Sequence, residues 1–187
     1  VGAAGTGLIA VLNKNFSLDN LFEVINDTAV TTAMIFLVLL GAEFFNSFIA
    51  LSRVTNILSE TILGYNYSPF TIVAIILLIY IFLGCLMDSL AMILLTIPVF
   101  FPVIIQLDFG MSYEETAIWF GILTLIVVEV GLITPPVGLN AFIINKIAGD
   151  IPIKETFKGV LPFLISDFLR VILLFAFPGI TLFLVRL

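Results

Sequence analysis

The chain has 187 residues, 61% of them hydrophobic and only 11% charged, with a mean hydropathy of +1.28. Soluble domains are roughly half apolar and about a quarter charged, so this composition belongs to an integral, multi-span membrane protein. A net charge of −6 argues against a nucleic-acid partner, and a single Cys85 without any His excludes zinc chemistry, Ser–His hydrolysis and His proton relays.

Residues 1–12 read as the tail of an earlier span. Without an initiator Met or a charged leader, the chain is expected to be the later part of a longer protein. The segment FSLDNLFEVINDT (16–28) is amphipathic and suits a helix lying in the membrane interface. A first full span is expected over about Thr28–Leu51, then a second amphipathic stretch over Arg53–Leu63. GYNYSP (64–69) reads as a turn with interfacial tyrosines.

Two apolar arms follow over Phe70–Ile105, joined by Asp88 and Ser89, the second carrying Pro98 and Pro102. QLDFGMSYEE (106–115) is an acidic loop, and the next span starts near Thr116, meets a break at GLITPPVG and resumes as LNAFIINKIAG. KIAGDIPIKETFK (146–158) reads as a short loop and about Leu161–Val185 as the last span. Lys14, Lys146, Lys154 and Lys158 fall on one side and Arg53 and Arg186 on the other, so the positive-inside rule puts the lysine side in the cytoplasm.

The break carries the strongest signal. Pro135 and Pro136 supply no backbone N–H, while Gly131 and Gly138 let the chain turn on either side. Carbonyls freed there cost several kcal/mol each if they face lipid, so they must face protein, water or an ion. Secondary transporters coordinate Na⁺ or a charged substrate group in this way, and Thr134 and Asn140 add side-chain oxygens. The competing reading is a packing kink, the usual meaning of a lone membrane proline.

Asp88 invites a similar comparison. A carboxylate at membrane depth costs about 3 kcal/mol on insertion scales, which points to a ligand or ion. It is equally a good N-cap for the second arm, and both roles are compatible. Asp167 and Arg170 have the i,i+3 spacing of a self-neutralising structural pair. Glu129, beside the break, could support it, tune cation binding or pair with a neighbouring span, whereas Glu43, deep in the first span with Asn46 on the same face, has no assigned role. An intramembrane aspartyl protease would need two coupled carboxylates, and Asp88 lacks the GxGD context.

GLITPPVGLN, the preceding DSLAMILLTIPVFFPVI and the opening VGAAGTGLI resemble the large membrane subunit of tripartite ATP-independent periplasmic (TRAP) transporters. The resemblance covers only the second half of that subunit. It implies an all-α integral membrane protein, half of an elevator-type transporter with a re-entrant helical hairpin and a discontinuous transmembrane helix. Scaffold span(s) and interfacial helices would occupy 1–69. The transport region would occupy 70–148, with its hairpin over 70–105 and its broken helix over 116–148, and a final span would fill 149–187.

The implied activity is sodium-driven import of organic acids such as C4-dicarboxylates or sialic acids across the bacterial inner membrane, without enzymatic chemistry. The implied partners are a periplasmic substrate-binding protein, a small four-helix membrane subunit and the missing N-terminal half of the same large subunit. Carried over by position, Gly131, Thr134 and Gly138 would hold Na⁺, Gly84 and Asp88 would contribute at the hairpin tip, and Asn140 would be an adjacent polar contact. The chain has Val127 and Val128 where family sequences often carry an Asn shortly before the glycine of GLITPP. Two alternatives remain: a two-component divalent-anion/sodium symporter needing no binding protein, and a purely structural membrane scaffold.

Overall fold

The computed structural model describes residues 2–12, 17–65, 67–149 and 151–186. Among them the chain is all-helical, in the order α1 (Gly2–Leu12), α2 (Leu18–Ser52), α3 (Val54–Gly64), α4 (Pro69–Gly84), α5 (Ser89–Ile104), α6 (Tyr113–Ile133), α7 (Leu139–Ala148), α8 (Ile153–Ala176) and α9 (Pro178–Leu182). Two compact units emerge, 1–41 and 42–187.

The first unit holds α1 and most of α2. The Ser17 hydroxyl caps α2 by accepting the Asn20 amide at 3.0 Å. From there α2 runs without interruption for 35 residues, so the amphipathic stretch and the first span are one helix rather than two elements. The reason is local: no Pro or Gly interrupts Leu18–Leu40, and Thr28 turns its hydroxyl back to the Val24 carbonyl at 2.7 Å instead of capping a new start. At 1.5 Å per residue the helix is about 52 Å long, so its polar first turns extend past a hydrocarbon core of about 30 Å. Lys14, used above for sidedness, and Phe16, at the start of the amphipathic stretch, lie outside the described residues.

In the second unit, the end of α2 turns into α3 at Arg53, whose φ of 55° breaks the helix. Ser68 caps α4 with Pro69 in its first turn, Asp88 caps α5, and Ser112 with Glu115 forms a capping box at the start of α6. The core sits around α6. Trp119, Phe120, Leu123, Val127 and Val128 are fully buried, in one cluster with Ile72, Val73 and Tyr80 of α4, Met92 of α5 and Val171 of α8. An ion pair of 2.7 Å between Arg186 and Glu115 ties the last described residue to the first turn of α6.

The C-terminal region differs from the reading above in two ways. α7 runs to Ala148 and α8 begins at Ile153, so Lys146 belongs to α7 and Lys154, Glu155 and Lys158 to α8, while Asp150 lies outside the described residues. The last helical stretch is divided at Phe177, because Pro178 has no N–H to give the Leu174 carbonyl four residues earlier. The Trp119 indole donates to that carbonyl instead, at 3.0 Å. Asp167 and Arg170 do pair, at 2.8 Å. By length and composition α2, α6 and α8 can each cross a membrane, whereas α4 and α5, at 16 residues each, rise only about 24 Å.

Candidate functional site

The break between α6 and α7 follows from where the prolines remove donors. In an unbroken helix the Gly131 and Leu132 carbonyls would be met by the amides of residues 135 and 136, and both are proline. The last turn tightens in response: the Thr134 amide donates to the Gly131 carbonyl at 3.0 Å, and the Thr134 hydroxyl donates to the Val130 carbonyl at 2.6 Å. Among the described residues no backbone amide reaches the Leu132 or Ile133 carbonyl. Leu132 is buried as a residue, Ile133 is half-buried and the two prolines that follow are exposed. The chain then turns at Gly138, whose φ of 58° favours glycine, and starts α7 with no side-chain cap.

The tip of α4 lies directly on this break. A Cβ built on Gly131 would stand 2.7 Å from the Gly84 Cα, and one on Gly84 would stand 2.9 Å from the Gly131 Cα and 3.1 Å from the Val128 oxygen. Backbone therefore meets backbone, which only glycine at both positions permits. Beyond the crossing, the Cys85 thiol donates to the Ile81 carbonyl at 3.2 Å and lies 3.9 Å from the Pro135 carbonyl. The structure thus brings Gly84 and Gly131 together and places the Thr134 carbonyl within 3.2 Å of a Cβ built on Gly138.

Asp88 and Asn140 stand apart from that cluster. Asp88 accepts from Leu90 and Ala91 at 3.1 and 3.4 Å, capping its own helix, and its side chain is exposed. Asn140, in the first turn of α7, makes no side-chain hydrogen bond among the described residues. Glu129 and Glu43 are exposed in this chain. Two residues escaped the sequence reading. Cys85 could have been noticed as the neighbour of Gly84, but Phe157, whose ring edge sits against Gly138, had no local pattern to mark it.

The break presents both signs of backbone charge. The carbonyl end of α6 carries partial negative charge and the amide end of α7 partial positive charge. Thr134 uses its one hydroxyl proton on Val130, leaving oxygen lone pairs for a cation. The oxygen-only donor set suits a small hard cation, and the uncapped α7 terminus suits a carboxylate.

Among the described residues the fold is that of an all-helical, multi-pass membrane protein. The family profile of the Tripartite ATP-independent periplasmic transporter, DctM component, matches residues 1–180. The chain belongs to this family. It is 29% identical over 177 residues to the sialic acid TRAP transporter large permease protein SiaM of Vibrio cholerae, covering 95% of this chain and 40% of that protein. It is 29% identical over 170 residues to the sialic acid TRAP transporter permease protein SiaT of Haemophilus influenzae, covering 91% and 26%. It is 25% identical over 183 residues to the C4-dicarboxylate TRAP transporter large permease protein DctM of Pseudomonas aeruginosa, covering 97% and 41%. The chain therefore spans less than half the length of these curated relatives. No solved structure matches it.

Proposed function

We propose that this chain is one half of the large membrane subunit of a sodium-driven importer of organic acids in the bacterial inner membrane. The observation that carries the reading is the break itself: a membrane-embedded helix whose Leu132 and Ile133 carbonyls have lost their amide donors, facing the bare amide end of α7. Na⁺ would bind to the carbonyl side with Gly131, Thr134 and Gly138. The carboxylate of the substrate would be drawn to the amide side, next to Asn140. The relatives named for sialic acid and C4-dicarboxylates make an organic anion the natural substrate class.

On this reading α4 and α5 form a re-entrant hairpin, because each is too short to cross and a single turn through Asp88 joins them. Asp88 holds the start of α5 at the hairpin tip, and Gly84 contributes by close approach rather than by ligation. The α6–α7 pair forms the discontinuous helix. Hairpin and broken helix, 70–148, move together as one transport body in elevator fashion, carried by scaffold elements from 1–69. The span at 149–187 closes this half, and the end bearing Lys146, Lys154 and Lys158 faces the cytoplasm. The complete transporter would add the N-terminal half of the subunit, a small four-helix membrane subunit and a periplasmic binding protein that delivers the substrate.

Uptake into proteoliposomes by the complete parent protein and its small subunit tests the reading. Uptake of a dicarboxylate or sialic acid is expected to require both an inward Na⁺ gradient and the binding protein. Uptake with Na⁺ alone would favour a two-component symporter, and no uptake with a folded protein and a panel of organic acids would sink the transporter reading.

A further inference from the structure

The geometry points to Phe157, on the first turns of α8, as a positioning residue that sets the angle at which α7 leaves the break. This inference rests on the reading of the break as an ion and substrate site. The Phe157 ring edge is the nearest atom to a Cβ built on Gly138, at 3.1 Å, on a residue whose φ of 58° fixes the direction of α7. The same ring meets Phe142, one turn into α7, edge to face with centroids 6.2 Å apart. Phe157 thus touches both the hinge and the helix the hinge directs.

Its own position is held from the other end of α7. Asn145 donates through Nδ2 to the Ile151 carbonyl and to the Thr156 hydroxyl, both at 2.8 Å. These bonds pin the α7–α8 corner and so fix the backbone from which the Phe157 ring projects. At the α6 end of the break Gly131 rests on the Gly84 backbone. The break is therefore braced from two directions, by main chain at Gly84 and by one aromatic ring at Phe157. The main-chain brace has no slack. The aromatic brace is the adjustable one, and truncating it frees Gly138 and the α7 amides it precedes.

The test uses the complete large subunit with its partners, comparing wild type with Phe157→Ala, Phe157→Leu and, as control on the same helix, the exposed Phe163→Ala. Hydrogen exchange is followed over 142–145, where the Phe142 amide bonds the Gly138 carbonyl at 3.1 Å. Phe157→Ala is expected to speed exchange there while 119–128 in α6 stays protected. It is also expected to raise the Na⁺ concentration for half-maximal uptake by about 10-fold, as loss of an outer-shell support does at metal sites. Phe157→Leu, which keeps apolar bulk and guards against a folding artefact, should recover most of both effects, and Phe163→Ala should show neither. Unchanged exchange at 142–145 in Phe157→Ala overturns the inference. So does faster exchange with an unchanged Na⁺ requirement in a transporter whose wild type needs Na⁺. A wild type indifferent to Na⁺ sinks the proposed function instead, and the exchange data then decide the positioning role alone.

Discussion

Gly84 and Gly131 differ from the other glycines in what surrounds them. At both positions the nearest obstacle is backbone, which cannot turn aside, whereas nothing lies within 4 Å of a Cβ built on Gly121 in the same α6. Gly84→Ala and Gly131→Ala are each expected to cost about 1–3 kcal/mol through forced separation of α4 from α6. Gly121→Ala should be neutral or gain up to about 1 kcal/mol from helix propensity. Thermal unfolding of the complete subunit in detergent checks the contrast. Thr134 poses a different question, since its hydroxyl both closes the end of α6 and offers an oxygen to the break. Thr134→Ser keeps both functions and should leave the Na⁺ requirement for uptake near wild type. Thr134→Val keeps the shape but removes the oxygen, and it should raise that requirement by about 10-fold. Equal Na⁺ curves for the two variants would remove Thr134 from the cation site.

At the scale of whole elements, prolines decide where helices end, and compensation differs from one to the next. Pro178 strands the Leu174 carbonyl, which the Trp119 indole recovers from the middle of the core. Pro136 strands the Leu132 carbonyl, and no backbone amide among the described residues recovers it. The first arrangement is completed by a side chain of the core, and under the proposed function the second is where the cation would bind. This difference gives a cycle that thermal denaturation can measure. Trp119→Phe should cost about 1–3 kcal/mol by leaving the half-buried Leu174 carbonyl unmet. In a Pro178→Ala background the new amide can serve Leu174, and the cost should fall to little more than the loss of ring area. A cost that is the same in both backgrounds would mean that the indole bond does not compensate the proline.

The same elements show what the sequence could and could not reveal. The break at 134–138 was legible because missing amides are a property of the residues themselves. The turn at Asp88 was legible because Asp before Ser-Leu-Ala starts a helix whatever surrounds it. The continuity of α2 was not, since an amphipathic segment and a span differ in polarity without any residue that must end one helix before the other. The Gly84–Gly131 crossing and the Phe157 brace depend on contacts between distant parts of the chain, and no local pattern in either partner announces the other. Glu43 stays unexplained by its surroundings in this chain.

For the whole molecule, the exposed apolar surface on α2 and α8 is the surface of a membrane protein rather than a folding defect. Within unit 42–187, α6 touches α4, α5, α7, α8 and α9, so a displacement of α6 carries the break with it. The most direct measurement of the central claim, that the α6–α7 break binds a coupling cation, is ligand-linked stability. Thermal unfolding of the purified complete transporter would be followed while Na⁺ replaces K⁺ at constant ionic strength, for wild type and Thr134→Val. A bound cation stabilises by about 2.7 kcal/mol at 100 times its Kd. Wild type should therefore gain stability with rising Na⁺ along a saturable curve, and Thr134→Val should need about 10-fold more Na⁺ for the same gain. Unfolding curves that coincide in Na⁺ and K⁺ would contradict the assignment.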